Sequence, residues 1–155
     1  LLMLAREENV RSDTPVSLNQ VIAEEIELLS ELAEQQGNKV ILNEDAEATC
    51  YARASVLTII MGNLLRNAIN FTNNGTVTVH ITTDRVTVSD TGIGMSLEDA
   101  ENAFTAFYRG SAAASTAPGQ GLGLALVRRL TQQLEWRVAI DSELNKGATF
   151  TVWMR

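Results

Sequence analysis

The sequence predicts a two-layer α/β (α+β) sandwich, with a mixed, mostly antiparallel sheet of about five strands and three helices on one face. Segments with apolar residues at about 3.6-residue spacing, typical of helices, are interspersed with short segments of apolar–polar alternation, typical of strands. These segments follow one another as helix, strand, helix, hairpin, glycine-rich segment, helix and hairpin. With 155 residues, 45% of them apolar, the chain is long enough to form one domain with its own core.

The composition excludes several classes of protein. No apolar run reaches the roughly 18 residues that a membrane helix needs. The single cysteine, Cys50, cannot form an internal disulfide, and the single histidine, His80, excludes a histidine-rich metal site. The net charge of −7 argues against general nucleic-acid binding, but residues 1–47 carry −8 whereas residues 102–155 carry +3. Six of the ten glycines lie within residues 92–123, which suits either a backbone close to an anion or flexible loops.

The first helix of the domain is predicted to follow a linker. Residues 1–12 are expected to form the tail of an upstream helix and this linker, so that the domain proper covers residues 13–155. The Thr14-Pro15 pair is expected to break the chain. Ser17 then opens the helix with a capping-box pattern, and Gly37 is well placed to end it.

The same periodicity places the remaining elements along the chain. They are a strand at 40–42, a helix from about 53 to 71, a hairpin of 76–81 and 85–89, a helix from after Gly121 to Leu134, and a hairpin of 136–140 and 148–153.

Three asparagines lie on one face of the second predicted helix. The steps of four and three residues between Asn63, Asn67 and Asn70 bring their side chains together, away from the apolar stripe. A solvated polar face gives the same pattern, although asparagine is a weak helix former and costs the helix stability here. An amide carbonyl is also a neutral oxygen ligand that suits Mg²⁺ already sharing charge with phosphates. The row is therefore a candidate metal site.

An aspartate followed by alternate glycines comes directly after the strand at 85–89. Asp90, Gly92 and Gly94 belong to the run VSDTGIGM. At the end of a strand, such a carboxylate can point into a crevice and accept a hydrogen bond from an exocyclic amine such as that of adenine. The glycines then let a flat ligand lie against the backbone. An ordinary Asp-Thr-Gly turn is the alternative.

A glycine-rich loop, GQGLGL at 119–124, directly precedes the third predicted helix. The free N–H groups and the positive dipole end of a helix N-terminus make such a loop a candidate phosphate site. It is not a dinucleotide fingerprint, because Leu124 stands where the third glycine is required. It is not a P-loop either, because the only lysines are Lys39 and Lys146. A flexible connection is the alternative.

Aromatic residues are grouped just before the Ser/Ala-rich stretch at 111–118. Phe104, Phe107 and Tyr108 are expected to pin this loop to the body of the domain by packing on the core. Arg109 follows them directly and adds a cation that suits a phosphate.

The four motifs, in this order, resemble the N, G1, F and G2 boxes of the ATP-binding catalytic domain of sensor histidine kinases, within the GHKL superfamily of Bergerat-fold ATPases and kinases. The sequence GATFTV at 147–152 resembles the closing strand of that domain, and LLMLAR at 1–6 resembles the end of its upstream helical hairpin. The resemblance covers nearly the whole chain. It implies a Bergerat fold, ATP and Mg²⁺ as ligands, and transfer of the γ-phosphate to a histidine.

The resemblance also implies roles for single residues. Asn67 would hold the Mg²⁺ that bridges the ATP phosphates, with Asn63 beside it. Asp90 would accept a hydrogen bond from the adenine amine. The surroundings of the nucleotide would include Asn70, Phe71, Gly92, Ile93, Gly94 and, through a water network, Thr149.

Two further groups would bind the phosphates according to the same resemblance. Tyr108 and Arg109 would lie at the base of an ATP lid, which is here the short segment 111–118. The glycine-rich loop would cradle the phosphates at the helix N-terminus with Gly119, Gln120, Gly121, Leu122, Gly123 and Leu124. Phosphoryl transfer mainly requires positioning and charge stabilisation, which these groups would supply.

The chain departs from the family pattern where chemistry is concerned. Family N boxes usually carry Lys or Arg three residues after the metal-binding asparagine, where this chain has Asn70, so Arg109 or Arg66 would have to supply the missing charge. Four residues before that asparagine, the ATP-hydrolysing branch has a Glu that activates water, whereas Asn63 is an amide and cannot take the proton. Residues 134–137 also lack the His-Gly-Gly that is common after the last helix.

His80 is not the phosphate acceptor that a histidine kinase needs, because it lies in a predicted strand and no acidic residue follows it. The resemblance places the acceptor on the upstream helical dimerisation domain, outside this chain, so the chain itself contains no certain catalytic residue. It further implies a response regulator as indirect partner, no nucleic-acid or membrane contact by this domain and a monomeric isolated domain. The domain would lie in the cytoplasm, within a parent protein of the bacterial inner (plasma) membrane.

Two alternatives stay open at this point. Asn70 and the short lid also fit a degenerate nucleotide-binding or interaction module that binds ATP without transferring phosphate. Another Bergerat-fold enzyme, such as a chaperone or topoisomerase ATPase or a serine-directed anti-sigma kinase, shares the order of motifs. Asn63 disfavours the ATPases, and the LLMLAR lead-in favours a sensor kinase over the anti-sigma type.

Overall fold

Alternation of valine with threonine in the segments at 76–81 and 85–90 forms two neighbouring strands of a five-stranded sheet, as the sequence predicts. A computed structural model describes residues 10–105 and 123–154 of the chain. The elements in chain order are β1 (Arg11–Ser17), α1 (Leu18–Leu28), α2 (Ser30–Gln35), β2 (Lys39–Glu44), β3 (Thr49–Ala52), α3 (Ala54–Asn70), β4 (Thr76–Ile81), β5 (Arg85–Asp90), α4 (Leu97–Asn102), α5 (Gly123–Gln133), β6 (Arg137–Glu143) and β7 (Gly147–Trp153). The five-stranded sheet has the order β2-β4-β5-β7-β6. β2 runs parallel to β4, and the other neighbouring strands are antiparallel.

The five-stranded sheet has one buried face and one open face. Val79, Val88 and Phe150 pair across three strands and are fully buried, because alternate side chains of a strand point to the same face. The neighbouring row, which lies on the opposite face and is only half-buried, consists of Thr78, Ser89 and Thr149.

α3 is the central helix of the second layer. It packs between α1 and α5 and rests on β5. Full burial of one large aliphatic side chain stabilises the fold by roughly 1.5–3 kcal/mol, so this helix supplies much of the core energy. Its buried apolar stripe consists of Val56, Leu57, Ile60, Met61, Leu64, Leu65 and Ala68.

The first helix differs from the prediction because it is broken into α1 and α2. Ser17 caps α1 as expected, since its Oγ accepts a hydrogen bond from the Gln20 N–H at 3.2 Å. At Leu29, φ is −96° and ψ is 5°, which ends α1 before α2 begins. The break lets α2 contact both α3 and β2. Periodicity alone does not reveal it, because neither leucine nor serine prevents a helix from continuing.

The two-stranded sheet of β1 and β3 is not predicted by the sequence pattern. Val10 is fully buried, and its carbonyl accepts a hydrogen bond from the Arg53 N–H at 2.9 Å. Residues 10–12 therefore pack with the domain, whereas residues 1–9 lie outside the described part. The Thr14-Pro15 pair does not end the strand, because the pairing with β3 is irregular between Arg11 and Val16 and needs no N–H from the proline.

The short helix α4 was also not predicted. It has only six residues, too few to show a helical period, and its signal is the Ser96 cap, whose Oγ accepts a hydrogen bond from the Asp99 N–H at 3.1 Å. The predicted helices at 53–71 and 121–134 and both hairpins are otherwise found within a few residues of their expected bounds.

Phe150 is expected to contribute strongly to the stability of the core. Its side chain is fully buried and meets Phe104 edge to face, with ring centroids 6.2 Å apart. Phe150→Ala should lower the free energy of unfolding by about 3–5 kcal/mol, measured by urea denaturation. Leu28→Ala, at a side chain that is 76% exposed, is the control and should change it by less than about 0.5 kcal/mol. Equal losses in both variants would contradict this assignment of the core.

Candidate functional site

Asp90 lies at the end of β5 and points into the space between the sheet and α3. Only 7% of the residue is exposed. Its Oδ1 accepts a hydrogen bond from the Gly92 N–H at 2.9 Å and another from the Ala148 N–H at 3.3 Å. Two backbone donors from different strand ends therefore fix the carboxylate, and its Oδ2 is left for another partner.

Burial raises the pKa of the Asp90 carboxyl above its ordinary value. The hydrogen bonds from Gly92 and Ala148 lower this pKa, and the Thr72 hydroxyl lowers it least, but desolvation is the largest effect. Thr72 lies close to the carboxylate without the geometry of a full hydrogen bond. Its Oγ1 is buried and has no partner among the residues that the structure describes.

The orphaned Thr72 hydroxyl marks a place for a polar ligand or water. A buried hydroxyl without a partner is costly in a native fold and calls for a group that residues 10–105 and 123–154 do not supply. A methyl group on Gly92 would lie 2.7 Å from this hydroxyl and 2.0 Å from the Phe71 carbonyl oxygen. Only glycine lets the loop after Asp90 approach the end of α3 this closely.

The loop from Asp90 to Met95 is held from both sides. On one side, the Ile93 N–H donates to the Phe71 carbonyl at 3.1 Å. On the other side, the Asn145 N–H of the β6–β7 turn donates to the Ile93 carbonyl at 2.6 Å, and the Met95 N–H donates to Ser142 Oγ at 2.8 Å.

The strand β7 also requires a glycine, at its first residue, beside Asp90. Gly147 has a φ of +94°, and a methyl group there would lie 1.9 Å from the Asp90 carbonyl oxygen. Gly94 lies against the Glu143 carbonyl in the same way. The predicted set Phe71, Asp90, Gly92, Ile93 and Gly94 is therefore brought together between α3 and the β6–β7 hairpin.

The three asparagines share one face of α3 and are half-buried. Asn63 donates from Nδ2 to the Ile59 carbonyl of its own helix at 2.8 Å. This bond turns its Oδ1 toward Gly123, where a methyl group would lie only 2.7 Å from that oxygen. The side chains of Asn67 and Asn70 make no hydrogen bond within residues 10–105 and 123–154. Asn63, at one end of the row, thus meets the first residue of α5 through its amide oxygen.

Arg66 lies three residues after Asn63 and four before Asn70 on α3, but its guanidinium points toward Glu25 of α1. Its Nη2 is 3.7 Å from the position that a methyl group on Gly62 would occupy, and Glu25 Oε1 of α1 is 2.8 Å from the same position. The guanidinium thus reaches back along α3 toward a buried acid. The suggestion that Arg66 replaces the charge missing at Asn70 gains no support from this geometry.

Several predicted site residues lie outside the described part of the chain. Leu124 is described, and it packs half-buried against the core at the start of α5. The predicted site residues outside the described ranges are Tyr108, Arg109, Gly119, Gln120, Gly121 and Leu122.

Thr149, which the resemblance places near the adenine through a water network, does not contact Asp90. Its hydroxyl lies 2.8 Å from the Ser89 hydroxyl on the open face of the sheet. Because successive residues of a strand point to opposite faces, a side chain level with Ser89 cannot reach the side of Asp90. The preceding residue, Ala148, meets Asp90 instead, through its backbone N–H.

Thr72 and Ala148 are the residues of this site that the sequence analysis missed. Thr72 follows the asparagine helix directly, where a β-branched polar residue before an Asn-Asn-Gly turn is the available signal. Ala148 acts through its backbone, which gives no sequence signal except its place after Gly147.

His80 has a structural place, as predicted. It lies on β4, with its Nε2 2.5 Å from Asp45 Oδ2. In the described ranges, no three His, Cys, Asp or Glu side chains come close enough together to hold a metal ion. A metal at the asparagine row would therefore have to be bound by amides and by a ligand's own oxygens.

Known proteins share this architecture. Residues 52–155 match the family described as histidine kinase-, DNA gyrase B- and HSP90-like ATPase. Sensor histidine kinase RcsC of Escherichia coli (strain K12) is 34% identical over 98 residues, which are 60% of this chain and 10% of RcsC. Sensor histidine kinase ZraS of Salmonella typhi is 34% identical over 148 residues, which are 90% of this chain and 30% of ZraS. The chain therefore spans at most three tenths of these two relatives.

A solved structure shows the same fold. Full-length ShkA in complex with AMPPNP superposes with a TM-score of 0.81 and 28% identity, covering 99% of this chain and 34% of ShkA. The predicted two-layer α/β class with a mixed five-stranded sheet is thus confirmed.

The raised pKa of Asp90 makes a prediction about stability. Between the pKa of an unfolded Asp and the raised pKa, the folded chain binds more protons than the unfolded chain, so this group lowers stability as pH rises. Asp90→Asn removes the charge but keeps an oxygen acceptor for Gly92 and Ala148. The free energy of unfolding of the variant, relative to the unsubstituted chain, should therefore increase from pH 3.5 to pH 7, measured by urea denaturation at each pH. A difference that stays flat over this range would contradict the assignment.

Proposed function

Because the chain belongs to the family of histidine kinase-, DNA gyrase B- and HSP90-like ATPases, we propose that it binds Mg-ATP and presents the γ-phosphate to a histidine of an upstream helical domain. Family membership makes the chain an ATP-binding domain. The match over residues 52–155 confirms the predicted family, and the sensor histidine kinases among the relatives support a histidine kinase catalytic domain within it. Transfer, acceptor and metal belong to the proposal.

The observation that carries the proposal is the buried Asp90 carboxylate beside the orphaned Thr72 hydroxyl. An ionised carboxylate only accepts hydrogen bonds, and the exocyclic amine of adenine donates them. Guanine presents a carbonyl oxygen at the equivalent place, which the carboxylate would repel. The site is therefore expected to prefer ATP over GTP.

The asparagine row fits the phosphate end of the nucleotide. Asn67 and Asn63 would hold Mg²⁺ through their amide oxygens, and Asn70 would lie beside them. Mg²⁺ would neutralise the negative charge of the phosphates when bound. Gly123 brings the N-terminus of α5, the positive end of its dipole, to the same place.

The chemistry of Asn63 favours transfer to another nucleophile over hydrolysis. A general base must accept a proton, and an amide does not do so near neutral pH. Asn63 also commits its nitrogen to its own helix, which leaves only a carbonyl oxygen facing α5. His80 is bonded to Asp45 on the opposite face of the sheet from Asp90, so it is not an acceptor for this site.

The wider setting is part of the same proposal. The acceptor histidine would belong to an upstream dimerisation and phosphotransfer domain, and a response regulator would receive the phosphate afterwards. The parent protein would be a sensor of the bacterial inner membrane, with this domain, monomeric when isolated, on the cytoplasmic side. Among the helices in the described part, none combines the length and apolarity needed to cross a bilayer.

Nucleotide binding tests the site directly. Titration with AMPPNP should show binding that Mg²⁺ strengthens, and Asp90→Asn should weaken it more than tenfold because the acceptor for the adenine amine is changed. Asn67→Ala should remove most of the effect of Mg²⁺. The exposed residues Asp141 and Asn43 provide matched controls, since Asp141→Asn and Asn43→Ala should bind like the unsubstituted chain. If neither site variant differs from its control, the site is assigned wrongly.

Transfer is tested by mixing the chain with the upstream helical domain and ATP labelled at the γ-phosphate. Label should appear on the helical domain in an acid-labile form, as expected of phosphohistidine. His80→Ala should not reduce it, and Asp90→Asn should reduce it at least tenfold. Binding of ATP without any labelling of the helical domain would favour the alternative, a nucleotide-binding module without kinase activity.

A further inference from the structure

The C-terminal end of α3 is held by two amide side chains from the loop between α2 and β2. The last carbonyls of a helix have no partner within the helix and need donors from elsewhere. Asn38 Nδ2 donates to the Ile69 carbonyl at 3.0 Å and to the Thr72 carbonyl at 2.9 Å. Gln36 Nε2 lies 3.3–3.4 Å from the carbonyls of Ile69, Asn70 and Thr72, so that its two N–H groups are shared among three acceptors. We call Gln36 and Asn38 the α3 clamp.

The α3 clamp also holds the turn that follows the helix. Asn38 Oδ1 accepts a hydrogen bond from the Gly75 N–H at 3.1 Å. The Gln36 carbonyl accepts one from the Asn74 N–H at 2.9 Å. The side-chain amide of Asn38 therefore uses both of its N–H groups and its oxygen to bind residues 69–75. This short stretch of chain is held at both of its ends.

Residues 71–75, within the stretch that the α3 clamp holds, form one wall of the proposed nucleotide site. The Phe71 carbonyl accepts the Ile93 N–H at 3.1 Å and so fixes the loop after Asp90. Thr72 presents its hydroxyl to the Asp90 carboxylate while its own carbonyl is bound by Asn38. A shift of this stretch would move the Thr72 hydroxyl and the loop after Asp90 together. Gln36 and Asn38 hold the stretch from the side that faces away from the site.

We propose that Gln36 and Asn38 are positioning residues for adenine recognition, which set the place of Phe71 and Thr72 relative to Asp90. The inference rests on the proposed function, since it needs adenine at this site. It goes beyond the sequence motifs, because the two amides come from an acidic N-terminal region that carries none of them.

Asn19 offers a matched control for the clamp. Its Nδ2 donates to the Ala46 carbonyl at 3.0 Å and to Glu44 Oε1 at 2.9 Å, and its Oδ1 accepts from the Ala48 N–H at 2.8 Å. It thus makes as many hydrogen bonds as Asn38 and ties a loop in the same manner.

The control lies at the other end of the sheet. Asp90 is level with Val77 on β4 and, through it, with Val40 near the start of β2. The loop that Asn19 holds follows the far end of β2, at Glu44. Loss of the Asn19 bonds therefore lowers stability without touching the wall of the site.

The experiment measures AMPPNP and adenosine binding by calorimetry, together with urea denaturation, for Asn38→Ala, Gln36→Ala and Asn19→Ala. Asn38→Ala should weaken both ligands about tenfold and Gln36→Ala about threefold, because its bonds are longer. The strengthening of AMPPNP binding by Mg²⁺ should keep its size in both clamp variants, unlike in Asn67→Ala. Asn19→Ala should lose stability comparably to Asn38→Ala but change binding less than twofold.

Each result decides between these possibilities. Unchanged binding in the clamp variants, with Asp90→Asn weakened, overturns the positioning role and leaves the proposed function standing. Equal weakening in Asn19→Ala also overturns it, since general loss of stability then explains the effect. If Asn38→Ala does not fold, Gln36→Ala against Asn19→Ala decides by the same criteria. An unsubstituted chain that binds neither AMPPNP nor adenosine overturns both proposals.

Discussion

The structure around the site depends on keeping one carboxylate buried at the end of a strand. Removing Asp90 from water is unfavourable, as its raised pKa records, and backbone N–H groups from Gly92 and Ala148 offset only part of this cost. Both donors come from segments that reach the carboxylate only because glycine stands at 92 and 147. The β6–β7 hairpin and the loop after β5 thus both donate to Asp90 Oδ1. A carboxylate that is held in this way at a cost in stability is consistent with a functional role for Asp90.

α3 connects the two halves of the proposed site. Its side presents the asparagine row toward α5, and its C-terminal end presents Thr72 toward Asp90. The same helix supplies the buried stripe of the core, so both groups are held on a rigid element. Its C-terminal carbonyls are bound by Gln36 and Asn38, which extends the support of the site to the α2–β2 loop.

Neutral amides at the phosphate end give the site a particular electrostatic character. Asn70 brings no positive charge, and the Arg66 guanidinium points toward Glu25 of α1. The excess acid of the chain, −8 within residues 1–47, lies away from the phosphate motifs in the sequence. Under the proposed function, phosphate charge would be balanced by Mg²⁺, the N-terminus of α5 and Arg109, so strong dependence on Mg²⁺ is expected.

The sequence by itself determined the order along the chain of the strands of the five-stranded sheet and of the three main helices, the face of α3 that carries Asn63, Asn67 and Asn70, and the place of Asp90 after a strand. These features follow from local periodicity and motif spacing. It could not determine which chain segments meet. Strand register turns Thr149 to the open face and leaves the Ala148 N–H for Asp90. Residues distant in sequence also meet in the pairing of β1 with β3 and in the α3 clamp, and the Thr72 hydroxyl comes to lie beside Asp90 in the same way. Only tertiary packing decides such contacts, since hydrogen bonds through backbone atoms and between remote loops leave no pattern in the order of side chains.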